Sequence, residues 1–217
     1  MRFSQYIVGS SLLFAAINLY AATPTAQVLL KQALAAQGGE DKLRAIKSVA
    51  WEASAYLNGL EQSERPEGPY IVTWQKIQEL HDPVRQRLVR DVASHFPPDD
   101  MLQEKQVLAD GVLQVSNGQA PRPGSTQQLS IAQWRLGLSP ERLLLTAQEA
   151  TDLHQEKDQL VLGVKHQVLG FSFQGTPVHV FLNPYSHLPR SVEYRGPLAR
   201  AGFSGFLVTN KLCLRIF

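Results

Sequence analysis

The side chains that most often carry metal or proton-transfer chemistry are few and widely spaced in this sequence. The chain has one thiol, Cys213, and six histidines: His81, His95, His154, His166, His179 and His187. No two of these histidines stand at the short spacing that places two imidazoles on one metal ion. We therefore expect no metal site and no cofactor, and we interpret the histidines as structural groups on the surfaces of strands.

Two further patterns have a superficial likeness to catalytic motifs. Residues 202–205 read Gly-Phe-Ser-Gly, but in a nucleophile elbow the second glycine comes one position later and the turn follows a parallel strand. Glu61, Glu64 and Glu67 have the residue type of a paired acid and base. Since their loop also holds an arginine and a proline, they are better interpreted as solvated or ion-paired groups. We predict no catalytic residue and a protein that is not an enzyme.

Composition and charge narrow the class further. The 217 residues are 44% hydrophobic, which is enough for one or at most two domains with a real core. Lys and Arg number 21 against 19 Asp and Glu, and the cations form no cluster, so nucleic acid is a poor partner. Fifteen Gly and thirteen Pro, with only 18% charged residues, favour a turn-rich β or α+β domain.

The N-terminus has the pattern of a secretory signal peptide. Arg2 precedes an apolar run from Tyr6 to Tyr20, which is shorter than the roughly 20 apolar residues of a membrane-spanning helix. The small pair Ala21 and Ala22 follows. We expect cleavage after Ala21, giving a signal peptide at residues 1–21 and no stable membrane anchor afterwards; an uncleaved anchor is the alternative. Export without a possible internal disulfide is typical of a bacterial periplasmic or secreted protein.

The next segments predict a helix and then an antiparallel meander. Apolar residues from Ala26 to Leu34 recur at the spacing of one helical face, and Gly38-Gly39 provide a left-handed cap. From Val49 to Leu57 the period changes to two, which is typical of a half-buried strand. Asp110-Gly111 predicts a tight hairpin turn. Loops are expected at Glu61 to Pro69 and Ala93 to Asp100, and further strands at Tyr70 to His81, Gln86 to Val92, Gln103 to Ala109 and Val112 to Ser116.

The second half of the mature chain begins with a helical pair. Leu129 to Leu136 form the first helix, and Ser139-Pro140 is expected to cap and begin the second. Strands then resume at Leu160 to Gly163, Val168 to Gln174, Val178 to Asn183 and Arg190 to Tyr194. The fold class predicted from the residues is α+β, a curved antiparallel sheet with an N-terminal helix and an inserted helical pair.

Three segments carry a resemblance to a known family: ALAAQGGEDKLRAIKSVAWEASAYLNG, EQSERPEGPY and VHVFLNPYSHLPRSVEY. They resemble the N-terminal domain that precedes the metallo-β-lactamase-fold region of some bacterial exported hydrolases, which is itself similar to the LolA/LolB-like lipoprotein carriers. The likeness runs from about Val28 to Leu198, within a domain at residues 22–198. It implies a half-barrel sheet with helices over its concave face and an apolar cavity that accepts acyl chains.

Four residues are candidates for lining such a cavity: Trp51, Trp74, Leu88 and Trp134. Large apolar side chains of this kind are also ordinary core, and the sequence leaves both interpretations open. A cavity for acyl chains requires faces with few charges, because each buried methylene contributes about 0.8 kcal/mol and one buried charge cancels several of them.

Two hypotheses follow from the resemblance. One is a non-enzymatic periplasmic module that binds a lipid, a lipoprotein acyl group or another apolar ligand. The other is the accessory N-terminal domain of a metallo-β-lactamase-fold hydrolase, truncated before its zinc site, since the His-x-His-x-Asp-His run is missing. The apolar tail at residues 199–217 departs from the family pattern, and we expect it to be a divergent or truncated C-terminus. The oligomeric state is left open.

Overall fold

The computed structural model describes residues 25–59, 71–96 and 100–194. The predicted signal peptide, the loop at residues 61–69 and the tail at residues 199–217 lie outside them. The helices are α1 (Ala26–Ala36), α2 (Glu40–Ala45), α3 (Thr126–Gly137) and α4 (Leu143–Glu149). The strands are β1 (Val49–Gly59), β2 (Ile71–Asp82), β3 (Arg87–Phe96), β4 (Asp100–Ala109), β5 (Val112–Ser116), β6 (Arg122–Pro123), β7 (His154–Val161), β8 (Val164–Phe173), β9 (Thr176–Leu182) and β10 (Pro189–Tyr194).

The strands form two antiparallel sheets. One has six strands in the order β1-β2-β3-β4-β5-β6, and the other has four in the order β10-β9-β8-β7. The expectation of a mainly antiparallel fold with few helices is confirmed. The prediction of a single sheet is wrong, because the strands form two sheets. Within the described residues, neither sheet closes into a barrel. The first sheet ends at the two-residue strand β6, where Pro123 lacks the N–H needed to extend the ladder.

The helices divide between two cores. α1 and α4 pack together and, with one face of the four-stranded sheet, form the larger apolar core around Leu29, Leu144 and Phe171. α3 contacts β3, β4 and β5 of the six-stranded sheet, where Leu88 lies in a smaller core. Helix α3 serves both, because Trp134 belongs to the larger core while Ala132 and Leu136 belong to the smaller one. No helix in the described part of the chain is long and apolar enough to cross a membrane.

Two turns predicted from glycine positions, the Asp110-Gly111 hairpin and the glycine pair after α1, have the expected positive φ angles. Asp110 and Gly111 have φ of 52° and 77°, so both central residues of this hairpin adopt the positive angles of a primed turn. Gly38 and Gly39, which follow the C-cap residue Gln37 of α1, have φ of 105° and 100°. These positions favour residues that tolerate positive φ.

Three local predictions were wrong. The segment expected to be a loop from Ala93 continues β3 as far as Phe96, and β7 begins at His154 instead of Leu160. Ser139 does not cap the second helix of the pair, which begins at Leu143. The Ser139 hydroxyl instead donates to the carbonyl of Leu136 at 2.8 Å and closes the end of α3.

Candidate functional site

A buried group of charged side chains lies on the inner face of the six-stranded sheet, the face covered by α3. Glu79 and His81 alternate with exposed residues along β2 and are both buried. Cross-strand register places Glu79 between Trp51 of β1 and Arg90 of β3 on the same face. Arg135 of α3 completes the group from above the sheet. We call Glu79, His81, Arg90, Arg135 and Glu141 the ion cluster.

The ion cluster is a continuous chain of short contacts. Glu79 Oε1 accepts a hydrogen bond from Arg90 Nε at 2.7 Å and lies 3.3 Å from Arg135 Nε. Glu79 Oε2 lies 2.9 Å from His81 Nε2, and His81 Nδ1 lies 2.7 Å from Glu141 Oε1. Glu141 precedes α4, so the cluster ties the C-terminal end of β2 to the helical pair.

The pKa of His81 is set by two opposing effects. Burial lowers the pKa of the imidazole, but hydrogen bonds and charge attraction from Glu141 and Glu79 outweigh burial and raise it to about 9. Burial raises the pKa of the Glu141 carboxyl, but the contact with His81 outweighs burial and leaves that pKa below its ordinary value. Near neutral pH, His81 is therefore an imidazolium that donates one N–H hydrogen bond to each of the two carboxylates.

This arrangement restricts the chemistry that His81 can perform. Acid or base catalysis needs a ring nitrogen within reach of a substrate proton. Both nitrogens of His81 contact carboxylates, and the ring is buried. The interpretation of every histidine as a strand-surface group is wrong for His81, and also for His166, which is buried with Nδ1 2.8 Å from the carbonyl oxygen of Val164. A paired or hydrogen-bonded imidazole can be buried at moderate cost.

Arg135 is incompletely hydrogen-bonded. Its Nη1 atom is buried and has no hydrogen-bond partner. Burial, and then the nearby charge of Arg90, lowers the pKa of the guanidinium, although arginine stays protonated in proteins. Its side chain is 27% exposed, so this end of the ion cluster lies nearest to solvent.

A second polar group lies on the four-stranded sheet. His154, Gly170 and His179 occupy one cross-strand row over three strands. Glu156 Oε1 lies 2.8 Å from His179 Nδ1 and 3.5 Å from His154 Nε2. Gly170 allows this arrangement, because a Cβ atom there would approach the His154 and Glu156 side chains to within 2.5–2.7 Å.

The described residues contain no group of three or more His, Cys, Asp or Glu side chains placed to hold a metal ion. In the second polar group, Asp152 accepts a hydrogen bond through its main-chain oxygen from His154 Nδ1 at 2.8 Å. The members of this group thus make hydrogen bonds mainly to one another and to the adjacent main chain.

The structure does not bring the four predicted ligand-binding residues together. Leu88 is fully buried in the smaller core. Trp134 packs in the larger core, with ring centroids 5.3 Å from Phe173 and 4.9 Å from Tyr194. Trp51 is 40% exposed and lies on the inner face of the six-stranded sheet, while Trp74 is 36% exposed and points to the opposite face by register. Of the four, only Trp51 lies on an inner face and is also open to solvent.

The inner face beside Trp51 carries a small group of partly covered apolar side chains, bordered on β2 by Glu79 and Gln75. Positions two and four residues further along β1 hold Ala53 and Ala55, and the partner of Ala53 on β2 is Ile77. All three are partly exposed. The main helix contacts of this sheet are those of α3 with β3, β4 and β5. We call Trp51, Ala53, Ala55 and Ile77 the Trp51 face.

A shallow groove of about 330 Å³ lies between α1 and α4. Leu30, Leu34 and Leu153 line it together with Lys31 and Glu40. None of the four predicted ligand-binding residues reaches this groove. The charged residues on its rim do not suit an apolar ligand.

Sequence reasoning missed the ion cluster. Its members come from β2, β3, α3 and the segment before α4, and His81 is 60 residues from Glu141. One local signal was present, because Glu79 and His81 fall on the strand face that the alternation of β2 assigns to the interior. Charged residues at inward positions indicate a buried ion pair.

No protein-family model matches the chain, and no curated protein sequence matches it. The likeness to LolA/LolB-like carriers therefore stays a prediction from the sequence.

Proposed function

We propose that the protein is a non-enzymatic binding module for an apolar molecule such as a lipid or an acyl group. The observation that carries this proposal is the Trp51 face, an inward-facing apolar surface that is partly exposed on the six-stranded sheet. Apolar side chains on an inward face are normally covered. A ligand that covers them gains about 0.8 kcal/mol for each methylene removed from water.

The opposite face of the same sheet has a different character. Glu52 forms an ion pair with Lys76 at 3.2 Å, and Lys105 forms one with Asp91 at 3.4 Å. All four side chains are about half exposed. Such solvated pairs disfavour an apolar ligand in the middle of that face. Nearer its edge, the exposed Tyr56 and Trp74 are cross-strand partners.

A role in binding instead of catalysis is supported by the state of the polar groups. His81 has both nitrogens on carboxylates, and Glu79 is shared among Arg90, Arg135 and His81. These contacts hold strands and helices together. They present no nucleophile or base toward the Trp51 face.

The finer fold assignment belongs to the same proposal. We infer a LolA-like half-barrel in which the helices lie over concave sheet surfaces. Its support is the antiparallel meander of both sheets and the packing of α1, α3 and α4 against their inner faces. In this arrangement the apolar ligand lies between the sheet and the helices.

Export to the bacterial periplasm is the matching localisation. It rests on Arg2, on the apolar run from Tyr6 to Tyr20 and on Ala21-Ala22. When the full chain is expressed in a bacterium, N-terminal sequencing of the periplasmic protein should begin at Ala22 or Thr23. A periplasmic protein that still begins at Met1 contradicts cleavage.

The binding proposal is tested with N-phenyl-1-naphthylamine, an uncharged apolar fluorophore. We expect saturable fluorescence enhancement with the wild-type protein. Trp51→Ala should weaken the affinity about tenfold or more, which corresponds to about 1.4 kcal/mol. Trp74→Ala is the matched control, since this tryptophan lies on the opposite face of the same sheet.

Two results would overturn the proposal. One is a wild-type titration without saturation. The other is an equal loss of affinity in the Trp51 and Trp74 variants. A probe bound to the inner face should lose affinity mainly in the Trp51 variant, since Trp74 lies on the opposite face. Circular dichroism confirms that both variants retain their secondary structure.

A further inference from the structure

We propose that two copies of the chain pair antiparallel through their β1 strands and so join their six-stranded sheets into one. This inference concerns assembly and does not depend on which molecule the Trp51 face binds. It is derived from a comparison of the four sheet edges in the described part of the chain, and from the residue pairs that this contact creates.

Strand β1 is long, regular and open on one side. It has eleven residues and pairs with β2 along its whole length with no shift in register. In the described part of the chain, no strand pairs with its other side. Trp51 and Tyr56, on opposite faces of this strand, are 40% and 68% exposed. An edge strand of this kind has backbone N–H and C=O groups that can pair with another chain.

The other three sheet edges carry features that oppose the addition of a strand. β6 is two residues long and contains Pro123, which has no N–H to donate. β10 begins with Pro189, and its pairing with β9 shifts register directly after this proline. β7 shifts register after Glu156, where Lys157 and Asp158 follow. Short strands, prolines, charges and bulges all protect sheet edges from pairing with other chains.

None of these protective features occurs in β1. Its sequence, VAWEASAYLNG, contains no proline, no lysine and a single charged residue, Glu52. The Glu52 carboxylate lies 3.2 Å from the ammonium group of Lys76 on β2, so its charge is paired within the sheet. Of the four edges in the described part of the chain, β1 is therefore the one suited to accept another strand.

A second β1 strand fits this edge. A twofold axis perpendicular to the sheet makes two copies of one strand antiparallel and keeps each face on its own side. With the axis at Ser54, the middle residue, all eleven residues are paired. Glu52 then lies opposite Tyr56 of the second copy, and Ala53 lies opposite Ala55. No like charges oppose each other in these pairs, and the small side chains near the axis allow close approach.

The proposed contact depends mainly on the backbone. An antiparallel pair of this length forms about ten main-chain hydrogen bonds, which supply the affinity of strand addition. Because each face stays on its own side, the Trp51 faces of the two copies lie next to each other on one inner surface. The contact is closed by the twofold axis, so it predicts a dimer and no larger assembly.

Sedimentation velocity tests the assembly, with protein purified after expression of the full chain. We expect a concentration-dependent equilibrium between monomer and dimer. Ser54→Glu should raise the dimer dissociation constant about tenfold or more, because it places two carboxylates opposite each other at the axis. Within one copy, residue 54 is the cross-strand partner of Lys76. The fold should therefore tolerate the added negative charge, and circular dichroism checks this.

Gln103→Glu is the matched control for added charge. Gln103 is exposed on β4 in the same cross-strand row as Ser54, three strands away from it. The substitution adds the same charge to the same face of the sheet and should leave the dimer unchanged. An equal weakening in both variants would assign the effect to net charge and overturn the inference.

Disulfide cross-linking tests the register of the pair. In a Cys213→Ser background, which removes the only native thiol, Ser54→Cys should give a covalent dimer under mild oxidation. Residues directly opposite each other in an antiparallel pair have Cα atoms about 4.5–5.5 Å apart, which suits a disulfide. Glu52→Cys is the control and should not cross-link, because its two copies are offset by about 13 Å along the strands.

Three results would overturn the inference. One is a wild-type protein that stays monomeric at its highest soluble concentration, which would mean that β1 is covered by another segment of the chain or stays unpaired. Another is a dimer that neither weakens with Ser54→Glu nor cross-links through Ser54→Cys, because such a dimer uses another surface. The third is a series of larger species that grows with concentration.

The cross-linking experiment decides alone if Ser54→Glu does not fold. Binding of N-phenyl-1-naphthylamine is measured separately from the oligomeric state. A monomeric protein that binds this probe contradicts only the assembly, and a dimer that does not bind it contradicts only the proposed function.

Discussion

The inner face of the four-stranded sheet is covered by α1 and α4 through apolar contacts, whereas the inner face of the six-stranded sheet combines an apolar core with buried charges. The first contains Leu169, Phe171 and Val180. The second contains Leu88 and, in the next cross-strand row, Glu79 and Arg90. The two sheets share antiparallel topology and differ in how they are joined to their helices.

The inner faces of the two sheets are therefore stabilised in two different ways. Apolar burial depends mainly on area and tolerates small shifts of the packing elements. An ion cluster depends on position, because a buried charge that loses its partner is strongly destabilising. We therefore expect mutations in the larger core to lower stability in proportion to the lost volume, and mutations in the ion cluster to act through the charges left behind.

The largest effect is expected in the larger core. Phe171→Ala should lower the free energy of unfolding by about 3–5 kcal/mol, because it removes a fully buried ring and leaves a cavity. Urea denaturation measures the change. Leu160→Ala, at a side chain that is 75% exposed in β7, is the control and should change stability by less than about 0.5 kcal/mol. Similar losses in both variants would contradict the core assignment.

The ion cluster should respond nearly as strongly to loss of its shared carboxylate. Glu79→Gln keeps the shape of the side chain but leaves His81, Arg90 and Arg135 with one carboxylate, and should lower stability by about 3 kcal/mol. Glu52→Gln breaks an exposed pair on the other face and should lower it by less than about 1 kcal/mol. Equal effects in urea denaturation would show that the buried cluster adds nothing beyond surface charge.

The pH dependence of stability distinguishes the two regions further. Because the folded pKa of His81 is raised from 6.5 to about 9, its contribution is fully present below about pH 6.5 and is lost as the pH rises through 9. At about 1.4 kcal/mol per unit, the loss is at most about 3 kcal/mol. Thermal denaturation between neutral and alkaline pH should show this decline in the wild type.

His81→Gln is the matched variant for the pH experiment. It lacks the titrating ring, so its stability should change much less over the same alkaline range. The lowered pKa of Glu141 acts in the opposite direction, since its contribution is present above its ordinary value of 4.5 and is lost in acid. A decline of equal size in the wild type and the variant would assign the alkaline loss to other groups.

The smallest effect concerns the helix that joins the two cores. The Ser125 hydroxyl accepts a hydrogen bond from the backbone N–H of Gln128 at 3.2 Å, and the Gln128 side chain returns a contact to the Ser125 N–H at 2.9 Å. Ser125→Ala should lower stability by about 1 kcal/mol, as measured by thermal unfolding. Thr126→Ala, one residue later, should cause no loss. A loss in the control alone would contradict the capping role.

Local patterns in the sequence predicted much of the secondary structure. The alternation from Val49 to Leu57 lies within β1, and the apolar face from Ala26 to Leu34 is the buried face of α1. Most of β7 was not predicted, because residues 154–159 contain no apolar side chain. This segment therefore shows no alternation of apolar and polar residues. The backbone of β7 is hydrogen-bonded to β8 along one edge. Such pairing does not require an apolar pattern in the strand.

Neither the separation of the strands into two sheets nor the ion cluster could be predicted from local sequence patterns. Both depend on contacts between residues far apart in the chain, such as His81 with Glu141. The partners of the buried charges on β2 come from other elements of the fold. The role of Trp51 in binding a ligand stays a prediction.

The membership of α1 in the larger core has a consequence for the order of events during synthesis. Its partners Leu169, Phe171 and Val192 lie about 130 to 165 residues later in the chain. The six-stranded meander pairs each strand with its neighbour in sequence, so that sheet can begin to form while the ribosome is still translating. Within the described part of the chain, α1 is thus translated well before α4 and the strands that complete its core. Until then its apolar face is available to chaperones.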